Sequence, residues 1–243
     1  MRPQGGWVRR IGTVLRWPAG MALTSWRYLW RTTPLHRLDE TGAPEDCGPA
    51  IDPRVHDERL QGLQDGVGPV YHRLYRVTIE RPRLSAAELV DRIARDPNKP
   101  APVEVAIFRK TVGGKSRLAP GDEFVVRMPG PWDGPVRVVD RGPESYRFAT
   151  LRGHLEAGQI EFRAREDGDV LHFEIESWTT AGDRLSHLLY SRVRLVKEMQ
   201  LHMWTHYCER SGKLARGRLR SGVHVHTRRY SGPVPARAGQ PRS

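Results

Sequence analysis

Several groups of side chains in this sequence have the types and spacing that chemistry requires. Gly113-Gly114-Lys115-Ser116 imitates the tail of a phosphate-binding loop. A full loop of that kind needs a Gly five residues before Gly114 and a helix after it, so that backbone N–H groups converge on the phosphates. Position 109 is Arg and Pro120-Gly121 follows, so the run reads as a hairpin turn. His202 and His206 stand four apart, a spacing that lets one helix face offer two imidazoles to a metal. They sit at the edge of an apolar stripe with no third ligand signposted, and His224-Val225-His226 lies in a basic tail. No metal and no cofactor is assigned.

His154 is the more informative imidazole. It follows Gly153 at a tight strand connection, where it can reach a cavity mouth or fix the loop through a backbone hydrogen bond. A catalytic role would require a carboxylate partner such as Glu161 or Glu174 within reach. Arg192 and Gln200 interrupt the apolar stripe of the last long helical segment. If that stripe faces a cavity, they point into it and can hold a polar headgroup, with Leu189, Val196, Met199 and Met203 lining the rest.

These residues depend on a regular set of elements. Ser85 is an N-cap for a helix over Ala86–Arg95, with Glu88 completing a capping box. A strand over Tyr71–Ile79 precedes it. Strand-sized runs follow at Val103–Lys110, Glu123–Met128, Val136–Asp140, Tyr146–Leu151, Gln159–Arg165 and Val170–Trp178, the last two joined by Asp167-Gly168. Alternation of Ile160, Phe162 and Ala164 with polar residues gives that strand one wet face, as antiparallel sheets allow. The segment 183–209 carries a stripe from Leu185 to Tyr207 over about seven helical turns, with Gly212 just beyond its end. Strand, helix, six strands and long helix predict an α+β helix-grip fold, a curved antiparallel sheet with a C-terminal helix across its concave face.

Charge divides the chain differently. The formal net charge is +12, yet residues 1–38 hold seven Arg and no acid, and 210–243 hold nine Lys or Arg and no acid. The body between them is net acidic, and the basic ends are handles for anionic surfaces, lipid or nucleic acid. Residues 7–17 read as an amphipathic helix in which Trp7, Ile11 and Leu15 oppose Arg9 and Arg10, a pattern suited to a membrane interface. The expected organisation is 1–31 as a basic, Trp-rich helical segment, 32–66 as a Pro/Gly-rich linker, 67–212 as the folded domain and 213–243 as a basic, disordered tail. Cys47 and Cys208 form no framework, which fits reduced thiols and a cytoplasmic chain, peripheral at the membrane through its N-terminus.

The run Ala149-Thr150-Leu151-Arg152-Gly153-His154-Leu155-Glu156-Ala157-Gly158, followed by Phe162, resembles the T-L-x-G-H-x-x-x-G-x-x-x-F signature of the DUF1990 family. The Phe173-Glu174-Ile175 strand, Trp178-Thr179-Thr180 and the long final helix continue the likeness over roughly 67–210, although Leu155 stands where a Pro is common. The resemblance implies a START-like (SRPBCC) fold with an apolar-ligand cavity, and no established activity. Three functions follow as expectations. The first is binding of a hydrophobic or lipid-like small molecule, with His154 and Phe162 added to the lining above. The second is a cyclase- or hydrolase-type enzyme using His154, the weaker reading because no nucleophile or carboxylate pair is visible. The third is non-specific nucleic-acid association through the basic ends. Oligomeric state is not legible.

Overall fold

A computed structural model describes residues 33–103, 105–114, 117–128, 133–182 and 194–235, with the backbone alone over 194–199. The described strands form one nine-stranded sheet. They are β1 (Leu35–Thr41), β2 (Val67–Glu80), β3 (Ile107–Val112), β4 (Glu123–Arg127), β5 (Asp133–Arg141), β6 (Ser145–Thr150), β7 (Glu156–Asp167), β8 (Val170–Ala181) and β9 (Arg218–Tyr230). Their order across the sheet is β1-β9-β2-β8-β7-β6-β5-β4-β3, antiparallel throughout except for the parallel β1–β9 pair. Helices α1 (Ala86–Arg95) and α2 (Arg194–Leu214) both pack into the core on one face. The mixed α+β helix-grip architecture is the one expected.

Local sequence explains these elements. Ser85 Oγ accepts from the Glu88 N–H at 3.1 Å while the Glu88 carboxylate accepts from the Ser85 N–H at 2.8 Å, so two orphan donors are satisfied reciprocally. Leu89, Val90 and Ile93 are then fully buried. In β2 the alternation sends Tyr75, Val77 and Ile79 into the helix-side core, and His72, Arg76 and Thr78 to the opposite face.

Two expected boundaries are corrected. The basic tail from 213 contains β9, which lies between β1 and β2, so the long helix is not the last element. Val223 and Val225 are buried on the core side, and three of the arginines are compensated: Arg218 and Arg220 pair with Glu80 at 2.9 and 2.7 Å. Arg228 reaches Asp46 at 3.3 Å, and His226 reaches Glu40 at 2.7 Å. Helix α2 also runs past Gly212 to Leu214, and at Gly212 the absent side chain leaves room for Leu219 of β9, which lies within 2.5 Å of where a Cβ would stand.

The second correction concerns the linker. Residues 35–41 are β1, and residues 42–66 form a strap of three 3₁₀ turns laid across the face of the sheet opposite the helices. Cys47 and Leu63 pack with Val70 and Trp178, and Leu60 packs with Val139, Ala149 and Leu151. Gly48, at φ +72°, sits where a Cβ would lie 2.6 Å from the Trp178 indole, so only glycine lets the strap close on this ring. Arg137 ties the strap down further, donating to Glu123 at 2.7 Å and Asp57 at 2.8 Å.

The strap is latched by one imidazole. His72 Nδ1 lies 2.6 Å from Asp46 Oδ1 and Nε2 lies 2.6 Å from Glu176 Oε1, with the ring stacked on Trp178. Burial opposes the charge on His72, but Glu176 and Asp46 more than offset it and raise its pKa above 6.5. The Glu176 pKa is lowered by His72 and Arg163 against the opposing effect of burial. A raised histidine pKa stabilises the fold fully below the unfolded value and loses that contribution as pH rises through the folded value. A lowered carboxylate pKa contributes above the unfolded value and is lost as pH falls through the folded one. The stability difference between the native chain and His72→Gln is therefore expected to peak between about pH 5 and 6.5, at about 2 kcal/mol. Urea denaturation across pH 4–9 measures it, and a difference that grows above pH 8 would contradict the latch.

Candidate functional site

The sheet surface facing α2 is divided. Toward the C-terminal end of α2 it is apolar and aromatic. Phe162 of β7 is fully buried, 4.8 Å from the stacked Tyr146 ring and 5.6 and 5.3 Å from Trp204 and Tyr207 of α2. Tyr207 also stacks on Phe173, and its hydroxyl lies 3.3 Å from that of Tyr146. Burial pushes both phenol pKa values upward, so these groups stay neutral. Such a cluster packs ring against ring in stacked and edge-on contacts.

Toward the start of α2 the same face is polar. Alternation in β2, β7 and β8 brings Tyr71, Arg73, Glu156, Ser177 and Thr179 onto it. Gln200 of α2 donates to Glu156 Oε2 at 2.7 Å, and Arg73 donates to Gln200 Oε1 at 3.4 Å. Thr179 donates to Glu156 Oε1 at 3.3 Å, and the Arg73 guanidinium lies over the Tyr71 ring at 4.7 Å. Arg73 and Glu156 are both buried, each with 9% of its surface exposed. A buried cation and anion linked through an amide make a surface that can both donate to and accept from a small polar group.

His154 positions this cluster without entering it. Its Nδ1 accepts from the Glu156 N–H at 2.9 Å, which leaves the ring proton on Nε2. Burial lowers its pKa despite the opposing influence of Glu156, so the ring is neutral near pH 7. Nε2 faces Gly134 of β5, where a Cβ would meet it at 2.9 Å. The carboxylates considered as its partners are elsewhere. Glu174 bonds Arg76 at 2.5 Å and Arg163 at 2.7 Å on the strap face, and Glu161 shares that face, so the sheet separates both from His154. The pairing of His154 with Glu161 or Glu174 is corrected accordingly.

The remaining motif residues hold the turn. Thr150 Oγ1 accepts from the Gly158 N–H at 2.9 Å and donates to the strap carbonyl of Gln61 at 2.8 Å. Gly158 has φ +146°, and an added Cβ would fall 2.0 Å from the Trp178 carbonyl.

Of the other sequence-derived lining residues, Gln200 lies in the polar cluster and Met203 is buried in the core. Val196 and Met199 are on α2, whose side chains are described only from Gln200 onward. Leu189 and Arg192 lie outside the described residues, as do Trp7, Arg9, Arg10, Ile11 and Leu15. His202 and His206 stack at 5.9 Å, and among the described residues no group of three His, Cys, Asp or Glu side chains could hold a metal. Cys47 and Cys208 are buried on opposite sides of the sheet, on the strap face and the helix face respectively. No described helix is long and apolar enough to cross a membrane. Sequence reasoning missed Arg73 and Glu156. The available signal was an arginine at the inward parity of a strand that otherwise sends Tyr75, Val77 and Ile79 to the core.

Residues 103–210 match the family model described as a domain of unknown function, DUF1990. This segment is a DUF1990 domain. The match spans β3 to most of α2, while β1, the strap, β2, α1 and β9 lie outside it. No match to a curated protein is found. Among solved structures, a hypothetical protein from Helicobacter pylori is similar at 9% identity, covering 59% of this chain and 86% of that one, with a TM-score of 0.44. The di-domain ARO/CYC protein StfQ of the steffimycin biosynthetic pathway is similar at 10% identity, over 63% and 52% of the two chains, with a TM-score of 0.46. Norcoclaurine synthase from Thalictrum flavum, in complex with dopamine and hydroxybenzaldehyde, is similar at 8% identity over 64% and 92%, with a TM-score of 0.44.

The DUF1990 signature is thus a turn-building device in this chain. Gly158→Ala is expected to destabilise the protein by at least about 2 kcal/mol, through backbone strain and displacement of Trp178. Thermal denaturation followed by circular dichroism checks this, and an unchanged midpoint would contradict the role.

Proposed function

We propose that this protein binds a small amphipathic molecule between the sheet and α2, without transforming it. The polar head rests on Arg73, Glu156 and Gln200, and the apolar body lies along α2 toward Met203. One observation carries the reading: a buried arginine and glutamate, bridged by the half-buried amide of Gln200, lie on the helix-facing side of the sheet at the point where aromatic packing ends. Burying an arginine and a glutamate is costly unless each is paired. A core held only for stability is better served by apolar residues there, whereas a headgroup site requires convergent donors and acceptors in an apolar wall.

The trio combines one positive and one negative group, so its complement is a neutral head that both donates and accepts, such as an amide or an alcohol. The neutral, backbone-held state of His154 and its separation from Glu161 and Glu174 favour binding over the enzyme reading. The ion pairs of Arg218, Arg220 and Arg228 within the fold weigh against nucleic-acid association through the C-terminal segment.

Calorimetric titration of the full chain with octanamide tests the proposal. Saturable one-to-one binding is expected, weakened about tenfold or more in Arg73→Met/Gln200→Leu, since a site built for hydrogen bonding loses affinity when its partners go. No saturation up to the solubility limit, or a double variant that binds as the native chain does, would overturn it.

A further inference from the structure

The strap borders a groove on the side of the sheet away from the helices. This groove, of about 700 Å³, lies between residues 50–55 of the strap and the β5–β6 pair. Its walls are apolar at Ile51, Pro53, Val55 and Val139, and its floor includes Arg147. Arg147 is only 8% exposed, yet its Nε–H has no hydrogen-bond partner among the described residues. Its terminal Nη2 makes only long contacts, 3.4 Å to the Ala50 carbonyl and 3.5 Å to Asp140 Oδ2. A buried guanidinium donor left unpaired is costly, and a planar anion that accepts from Nε and Nη together removes that cost.

Asp52, Arg54 and Arg141 beside the groove are already engaged within the fold. Asp52 accepts from the Arg54 guanidinium at 2.6 Å, and Arg141 donates to the Ser145 carbonyl at 3.0 Å. Asp140 is more than half exposed, and among the described residues its side chain meets Arg147 in a long contact. The uncommitted donor therefore belongs to a cation on the floor, beneath an apolar strap. We propose that this groove binds a small organic acid, its carboxylate on the Arg147 fork and its hydrocarbon part against Ile51, Val55 and Val139.

Titration of the full chain with octanoate tests this, with octanamide and inorganic phosphate as controls. Octanoate is expected to bind saturably, and Arg147→Met to weaken it about tenfold or more. Octanamide binding should not change in that variant, and Arg73→Met/Gln200→Leu should leave octanoate binding unchanged, so failure here and failure at the helix face are told apart. Ile51→Trp, which fills the groove and leaves the β-sheet untouched, should also abolish octanoate binding and decides the matter if Arg147→Met does not fold. Octanoate binding that survives Ile51→Trp, phosphate binding as tight as octanoate, or no saturable octanoate binding would overturn the proposal.

Discussion

Strand β2 is hydrogen-bonded on both edges, to β8 and β9, and covered on both faces, by α2 and by the strap. A strand in that position has no freedom of register, because a slip of one residue would exchange everything on its two faces. It would carry His72 into the core and Tyr75 out under the strap. The parity of β2 therefore sets which side chains meet the helix and which meet the strap, and its neighbours inherit that choice through the ladder. Both candidate binding regions depend on this division.

The two faces solve different problems. On the helix face, aromatic rings fill the space beneath residues 203–214 while Arg73, Glu156 and Gln200 remain under the start of the helix. On the strap face, most charged groups are committed to one another: His72 with Asp46 and Glu176, and Arg163 with Glu174 and Glu176. Among the described residues, Glu161, whose pKa is raised by burial, and the unpaired Nε of Arg147 are charged groups where that network does not close. Incomplete closure in an otherwise saturated network is what gives the groove its chemical character.

Much of this is legible in the sequence alone. The Ser85–Glu88 box marked α1 to the residue, and the alternation around Phe162 gave the orientation of β7, because periodicity and capping are local properties. The antiparallel order of strands followed from turn residues. What escaped was non-local. β9 carries the Val223, Val225 alternation of a strand, but its arginines made it resemble a solvated tail; the compensating Glu40 and Glu80 lie well over a hundred positions away. The strap looked like a linker because its proline and glycine content suits both roles, and only the contact of Gly48 with Trp178 distinguishes them. His154 drew attention as the chemically versatile residue, whereas the headgroup cluster was carried by Arg73 and Glu156, which look ordinary until the sheet register brings them together.

The central claim is that the helix–sheet interface holds a small molecule at the polar end of α2. Native mass spectrometry of the full chain, before and after incubation with octanamide, tests it most directly. A one-to-one adduct that survives gentle desolvation and disappears on denaturation is predicted. A bare chain mass under both conditions would contradict the account.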